Sequence, residues 1–119
     1  MSKSAAAPGP YSRTKRRFPR FTLDVRLTAQ VFREGESISV WGRSNELGQD
    51  GIGGTLTGEL AVGEVVSLEF ALPVRVQPMK LRAVVRYRHG LRHGFEFLAV
   101  SAKQRDDIQR ACEMLSCIV

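Results

Sequence analysis

The sequence predicts a mainly β domain, a small barrel covered by one C-terminal helix. Apolar and polar residues alternate in about six short runs, the period of strands with one buried face. Glycine-bearing polar turns separate those runs. Only the last segment changes period, with apolar residues at steps of three and four. Closely spaced strands ending in a single helix favour a small barrel whose opening or sheet face the helix covers. At 119 residues the chain has the size of one domain.

Residues 1–14 are small, polar and proline-bearing, and are expected to form a flexible tail ahead of a single domain over 15–119. Within that domain, 15–21 form an arm, 22–100 the barrel and 101–118 the helix. The first strand is expected over 22–32, where Leu23, Val25, Leu27, Ala29 and Val31 alternate with polar residues. After the turn 33–36, residues 37–44 alternate again. The segment 45–54, NELGQDGIGG, reads as a glycine-rich loop, with left-handed turns or bare backbone N–H groups as its uses. Strands follow in 55–60 and 62–73, with Gly58 and Gly63 at turns, and in 79–88. Residues 89–94 read as a hairpin connection, and 95–100 as the returning strand. Ser101 with Gln104 forms a capping box that opens the helix, whose packed face is Ile108, Ala111, Leu115 and Ile118.

The charge is unevenly placed. Residues 1–20 hold Lys3, Arg13, Lys15, Arg16, Arg17 and Arg20 and no acid; the twelve remaining cations balance the twelve acids of the body. The excess of +6 therefore belongs to the arm, which calls for an anionic partner. A basic tail can also be merely solvated. In KRRFPRF (15–21), however, Pro19 stiffens the chain and Phe18 and Phe21 can anchor it to the barrel. Extended, Arg16 and Arg20 stand about 13 Å apart, enough to grip different parts of one elongated ligand. Their forked guanidiniums suit phosphate oxygens or a guanine edge. Glu46 complements them by accepting from guanine N1–H and N2–H₂, and Gly48 and Gly51 permit close backbone approach.

Other chemistry is thinly supported. No nucleophile, base or paired-carboxylate pattern points to catalysis, and the expectation is a non-enzyme. His89 and His93 lack the companions of a metal site. Cys112 and Cys117 stand too far round a helix for a disulfide and are expected as buried free thiols, as in a reducing compartment. Trp41 reads as core or barrel rim. No membrane-length apolar run or secretory signal core is present, so the expected location is cytoplasmic, without membrane insertion. A nucleic-acid partner is disfavoured by the neutral body and the lack of an aromatic ladder.

An R-x-x-x-R pair ahead of the first strand, followed after the second by a loop of the form D/N-x-S-x-x-G, resembles the PilZ domain, a family of bacterial receptors for cyclic di-GMP. The resemblance runs from 15 to about 115 and includes VGEVVSLEFALP, RHGFEFL and the closing helix. It implies a six-stranded antiparallel barrel with the arm folding over the ligand against the loop. Arg16 and Arg20 match the arginine pair, and Lys15 and Arg17 flank and interleave it. Glu46 stands where Asp or Asn is usual, Gly48 where Ser is usual, and Gly51 matches. The implied function is a cyclic di-GMP receptor without cofactor, relaying arm closure to an unidentified protein partner. Because of the departures at Glu46 and Gly48, the alternative is an adaptor that does not bind the nucleotide.

Overall fold

A computed structural model describes residues 17–117. Seven strands precede one helix: β1 (Phe21–Thr22), β2 (Arg26–Arg33), β3 (Glu36–Leu47), β4 (Gly51–Leu56), β5 (Val65–Phe70), β6 (Met79–His89), β7 (Arg92–Phe97) and α1 (Ala102–Ser116). All pairings are antiparallel, in the order β3-β2-β5-β6-β7-β4, and β4 returns to β3 to close a six-stranded barrel. The two-residue β1 adds to the end of β3, with Phe21 opposite Leu47 and Thr22 opposite Glu46.

Strand alternation fills the interior. Leu27, Ala29 and Val31 of β2, Val66, Leu68 and Phe70 of β5, and Leu81, Ala83 and Val85 of β6 all point inward and are buried. Phe70 stacks on Phe97 with ring centroids 6.0 Å apart. The helix starts as its capping box requires: Ser101 Oγ accepts the Gln104 N–H, and the Gln104 side chain accepts the Ser101 N–H. Ile108, Ala111 and Cys112 join the barrel core, with Leu115 partly buried against it. Ile118, expected on the same face, lies outside the described residues.

Several expectations need correcting. The first strand is broken at residues 23–25 into β1 and β2. The glycine-rich segment is mostly strand: Gly51, Gly53 and Gly54 lie in β4 between β3 and β7. Left-handed glycines occur instead at Gly35, Gly63 and Gly90. The hairpin turn is confined to Gly90 and Leu91, so His93 and Gly94 belong to β7. Trp41 is 49% exposed on the outer wall, with the Arg26 guanidinium 4.9 Å from its ring centre. Both thiols are free, but only Cys112 is buried; Cys117, past the last helical turn, is exposed.

Two buried polar side chains tie loops to this framework. Asp107 accepts from Lys103 at 2.9 Å, Arg110 at 3.0 Å and Arg75 at 3.0 Å, which fastens the β5–β6 connection to α1. Those bonds, the Lys103 bond foremost, hold its carboxyl below the usual range against the opposing effect of burial. His93 Nε2 accepts the Leu60 N–H at 3.0 Å, so the ring proton sits on Nδ1, 2.8 Å from the Leu91 carbonyl. The ring also stacks on Phe95. Burial pushes the His93 pKa down, reinforced by Arg88 and opposed by the Leu91 bond and Glu59.

A depressed histidine pKa means that the fold disfavours the proton. Its contribution is complete above the ordinary value of 6.5 and is lost as pH falls below it toward the folded value. The His93→Phe variant keeps the stack but leaves the Leu60 N–H unpaired, and should lose about 1–3 kcal/mol in urea denaturation at neutral pH. The deficit should shrink as pH drops below 6.5. A deficit that stays constant over that range would refute this account.

Candidate functional site

The site begins with one extra residue in β3. Val40, Gly42 and Ser44 point inward, and strict alternation would send Glu46 into the core and Leu47 out of it. Instead Ser44 pairs with Gly54 and Glu46 with Gly53, leaving Asn45 as a bulge. The phase flips there. Leu47 becomes fully buried, and Glu46 turns to the rim with its side chain 18% exposed.

Ser44 uses the same bend to place the arm. Its buried hydroxyl donates to the Leu23 carbonyl and accepts the Val25 N–H at 3.0 Å. The Ser44 N–H donates to Val25 O at 2.8 Å, and the Leu23 N–H to Asn45 O at 3.2 Å. These bonds satisfy the backbone where β1 breaks from β2. They also hold β1 on the end of β3. Since Phe21 packs against the core, the residue before it is delivered to the same rim.

That residue is Arg20, and its guanidinium enters an acidic cup. One terminal nitrogen lies 3.8 Å from Glu46 Oε2 and the other 3.4 Å from Asp50 Oδ1. The arginine side chain is 19% exposed. Beneath it runs the turn 48–50, closed by the Gly48 N–H donating to Gly51 O at 2.9 Å and by the Phe97 N–H donating to Asp50 O at 2.9 Å. A Cβ on Gly48 would stand 2.7 Å from Arg20 Cδ and 2.9 Å from its Nε, so only glycine admits the arginine in this pose. The inner face of α1 adjoins the cup. Burial pushes the Cys112 thiol up to about 11, with Arg20 pulling it down and Asp50 and Glu113 adding to the rise.

Of the residues expected from sequence, Arg20, Glu46 and Gly48 meet in one place. Gly51 closes the turn through its carbonyl but lies in β4 against β7, where a Cβ would fall 2.2 Å from Phe95 O. The expected nest of bare N–H groups is therefore reduced to the short turn. Arg17 turns aside, its guanidinium 5.4 Å from the centre of the Phe18 ring. Lys15 and Arg16 lie outside the described residues. Asp50 and Ser44 were not anticipated. Asp50 occupies an unspecified position of the loop pattern, whereas a polar residue at an inward position of β3 was a usable signal for Ser44. Among the described residues, no group of His, Cys, Asp and Glu could hold a metal ion, and no helix is long and apolar enough to cross a membrane.

The chain matches the PilZ domain family model over residues 14–114. It belongs to the PilZ domain family.

Solved structures, PilZ domains among them, share its fold. The PilZ domain of CeSA from a cellulose-synthesizing bacterium superposes with a TM-score of 0.63 at 17% identity, over 82% of this chain and 98% of that one. The PilZ domain of Escherichia coli YcgR, solved with c-di-GMP, gives 0.65 at 20% identity, over 86% and 92%. The Bacillus subtilis inhibitor of motility MotI/DgrA gives 0.65 at 19% identity, over 88% of this chain and 53% of that protein. Comparison with curated proteins gives no match.

For this PilZ domain, Ser44→Ala should unfasten the β1–β2 bend. The variant leaves a part-buried Val25 N–H without a partner and should lose about 1 kcal/mol of stability. Hydrogen exchange at residues 21–25 should accelerate more than exchange in β5 and β6. Uniform acceleration across the barrel would assign Ser44 to general packing instead.

Proposed function

We propose that this PilZ domain is a cytoplasmic receptor that binds cyclic di-GMP between its arginine arm and the turn 46–51, and that it relays binding to a protein partner without catalysing a reaction. The observation that carries the reading is the meeting of the two motifs. Arg20 of the arm comes to rest against Glu46 and over Gly48, although 25 residues and more separate them in sequence. The similar fold of the c-di-GMP-bound YcgR domain supports the choice of ligand.

In this reading Arg20, with Arg16 one R-x-x-x-R step earlier, supplies forked donors to phosphate oxygens and to the guanine edge. Lys15 and Arg17 add local positive charge. The Glu46 carboxylate accepts from guanine N1–H and N2–H₂, which distinguishes guanine from adenine by the hydrogens it offers. Closure of the arm over ligand is an ordering step, and its output is a changed surface. Arm and cup lie beside the inner face of α1, so closure would reach the helix directly. The runner-up is a PilZ adaptor that does not bind the nucleotide. Glu46 and Gly48, at positions where the family more often carries Asp or Asn and Ser, favour it.

Calorimetric titration with cyclic di-GMP at physiological salt decides between them. Micromolar or tighter binding, about −8 kcal/mol, is expected. Arg16→Ala and Arg20→Ala should each weaken it by ~30-fold or more, the cost of losing a charge-assisted contact. Absence of heat in a correctly folded wild type, with no thermal shift at high nucleotide concentration, would leave the adaptor reading standing.

A further inference from the structure

We propose that Asp50 competes with the ligand for Arg20: it latches the arginine across Gly48 in the free protein and thereby sets how tightly an anion can bind. The inference rests on the receptor reading above and adds a residue at an unspecified position of the loop motif that carries the family resemblance. Three observations support it.

First, the arginine is already occupied. Its guanidinium lies 3.4 Å from Asp50 Oδ1 and 3.8 Å from Glu46 Oε2, two carboxylates flanking the group that would grip phosphate. Second, the latch depends on an absent side chain. Arg20 Cδ and Nε run 2.7 and 2.9 Å from the point a residue-48 Cβ would occupy. A serine there would force the arginine side chain to shift from this position. Third, the Asp50 backbone is fixed while the pairing of its carboxylate is loose. Phe97 N–H holds the Asp50 backbone at 2.9 Å, and the turn is closed by the Gly48–Gly51 bond. Yet among the described residues neither Arg20 Nε nor Asp50 Oδ1, both buried atoms, makes a hydrogen bond. A phosphate offering shorter, aligned charge-assisted bonds at 2.7–2.9 Å can therefore displace Asp50.

The test compares wild type with Asp50→Asn, Gly48→Ser and a charge control, Glu59→Gln. Glu59 faces Arg88 at 3.5 Å on a different part of the barrel, so its variant removes one negative charge without touching the cup. Two readouts are needed. Hydrogen exchange over residues 18–22 without nucleotide reports the latch; titration with cyclic di-GMP reports the competition. Asp50→Asn and Gly48→Ser should both raise ligand-free exchange over 18–22, while Glu59→Gln leaves it unchanged. Asp50→Asn should also bind cyclic di-GMP roughly 2- to 5-fold tighter than Glu59→Gln, the scale of one partly exposed ion pair.

Unchanged exchange in Asp50→Asn overturns the latch whether or not nucleotide binds. Faster exchange with no gain in affinity over Glu59→Gln overturns the competition and leaves the receptor reading intact. If the arm loosens but neither wild type nor any variant takes up nucleotide, the receptor reading fails, and with it the role of Asp50 as a competitor.

Discussion

The bulge at Asn45 is the constraint on which the candidate site depends. A strand in a closed barrel has two faces, and each residue belongs to one of them by parity. One extra residue changes the parity of everything that follows it. Upstream of Asn45 the inward positions are Val40, Gly42 and Ser44; downstream the inward residue is Leu47. Without the bulge, a carboxylate would face the core and a leucine the solvent, a costly exchange of charge for methyl groups. With it, Glu46 reaches the rim while the ladder to β4 resumes one residue later. Ser44, the last residue before the change, supplies the hydroxyl that holds the neighbouring chain.

The arrangement of charge follows from that geometry. The arm carries cations in excess, and the rim it meets carries Glu46 and Asp50. Elsewhere, too, ion pairs join segments far apart in sequence. Arg33 with Glu64 is one case: the hydrogen bond from the guanidinium, over the opposing effect of burial, brings the Glu64 carboxyl down to about 2. Exposed pairs of that kind stiffen loops without adding much stability. The rim differs because its acids meet a residue of the cationic arm.

Most of the fold was legible from periodicity. The alternations in 22–32, 37–44 and 79–88 translate into β2, β3 and β6, and the Ser101–Gln104 pair marks the start of α1 to the residue. What the sequence hid is where glycine serves packing instead of turning. Gly51 and Gly54 are used for close approach to Phe95 O and to the Arg43 carbonyl and Leu27 side chain, and a composition-based reading cannot tell that from loop flexibility. Likewise, Gly94 leaves room for the Tyr87 ring lying across it, so a segment that looked like a turn is strand. In the site, Arg20, Glu46 and Gly48 were visible through motif spacing. Asp50 was not, because its role depends on a turn that places its carboxylate, and nothing in its immediate neighbours announces that turn. Trp41, read as core or barrel rim, lies on the outer wall, as its parity with the outward-facing Ser39 and Arg43 requires.

The strand order also divides the barrel into two meanders, β2-β3-β4 and β5-β6-β7, each built from neighbouring hairpins. They join along two seams, β2 on β5 and β4 on β7, where pairs such as Ala29 with Leu68 and Gly54 with His93 close loops of about 40 residues. Arg20, Glu46, Gly48 and Asp50 all belong to the first meander and the turn within it. The shaping of the cup draws on both meanders: the bulge and the Ser44 staple use contacts within the first meander, while the turn is also held by the Phe97 N–H on Asp50 O across the β4–β7 seam. A substitution along the β2–β5 seam, away from the cup, would then change how readily the protein reaches its native state while leaving the cup, once formed, as it was.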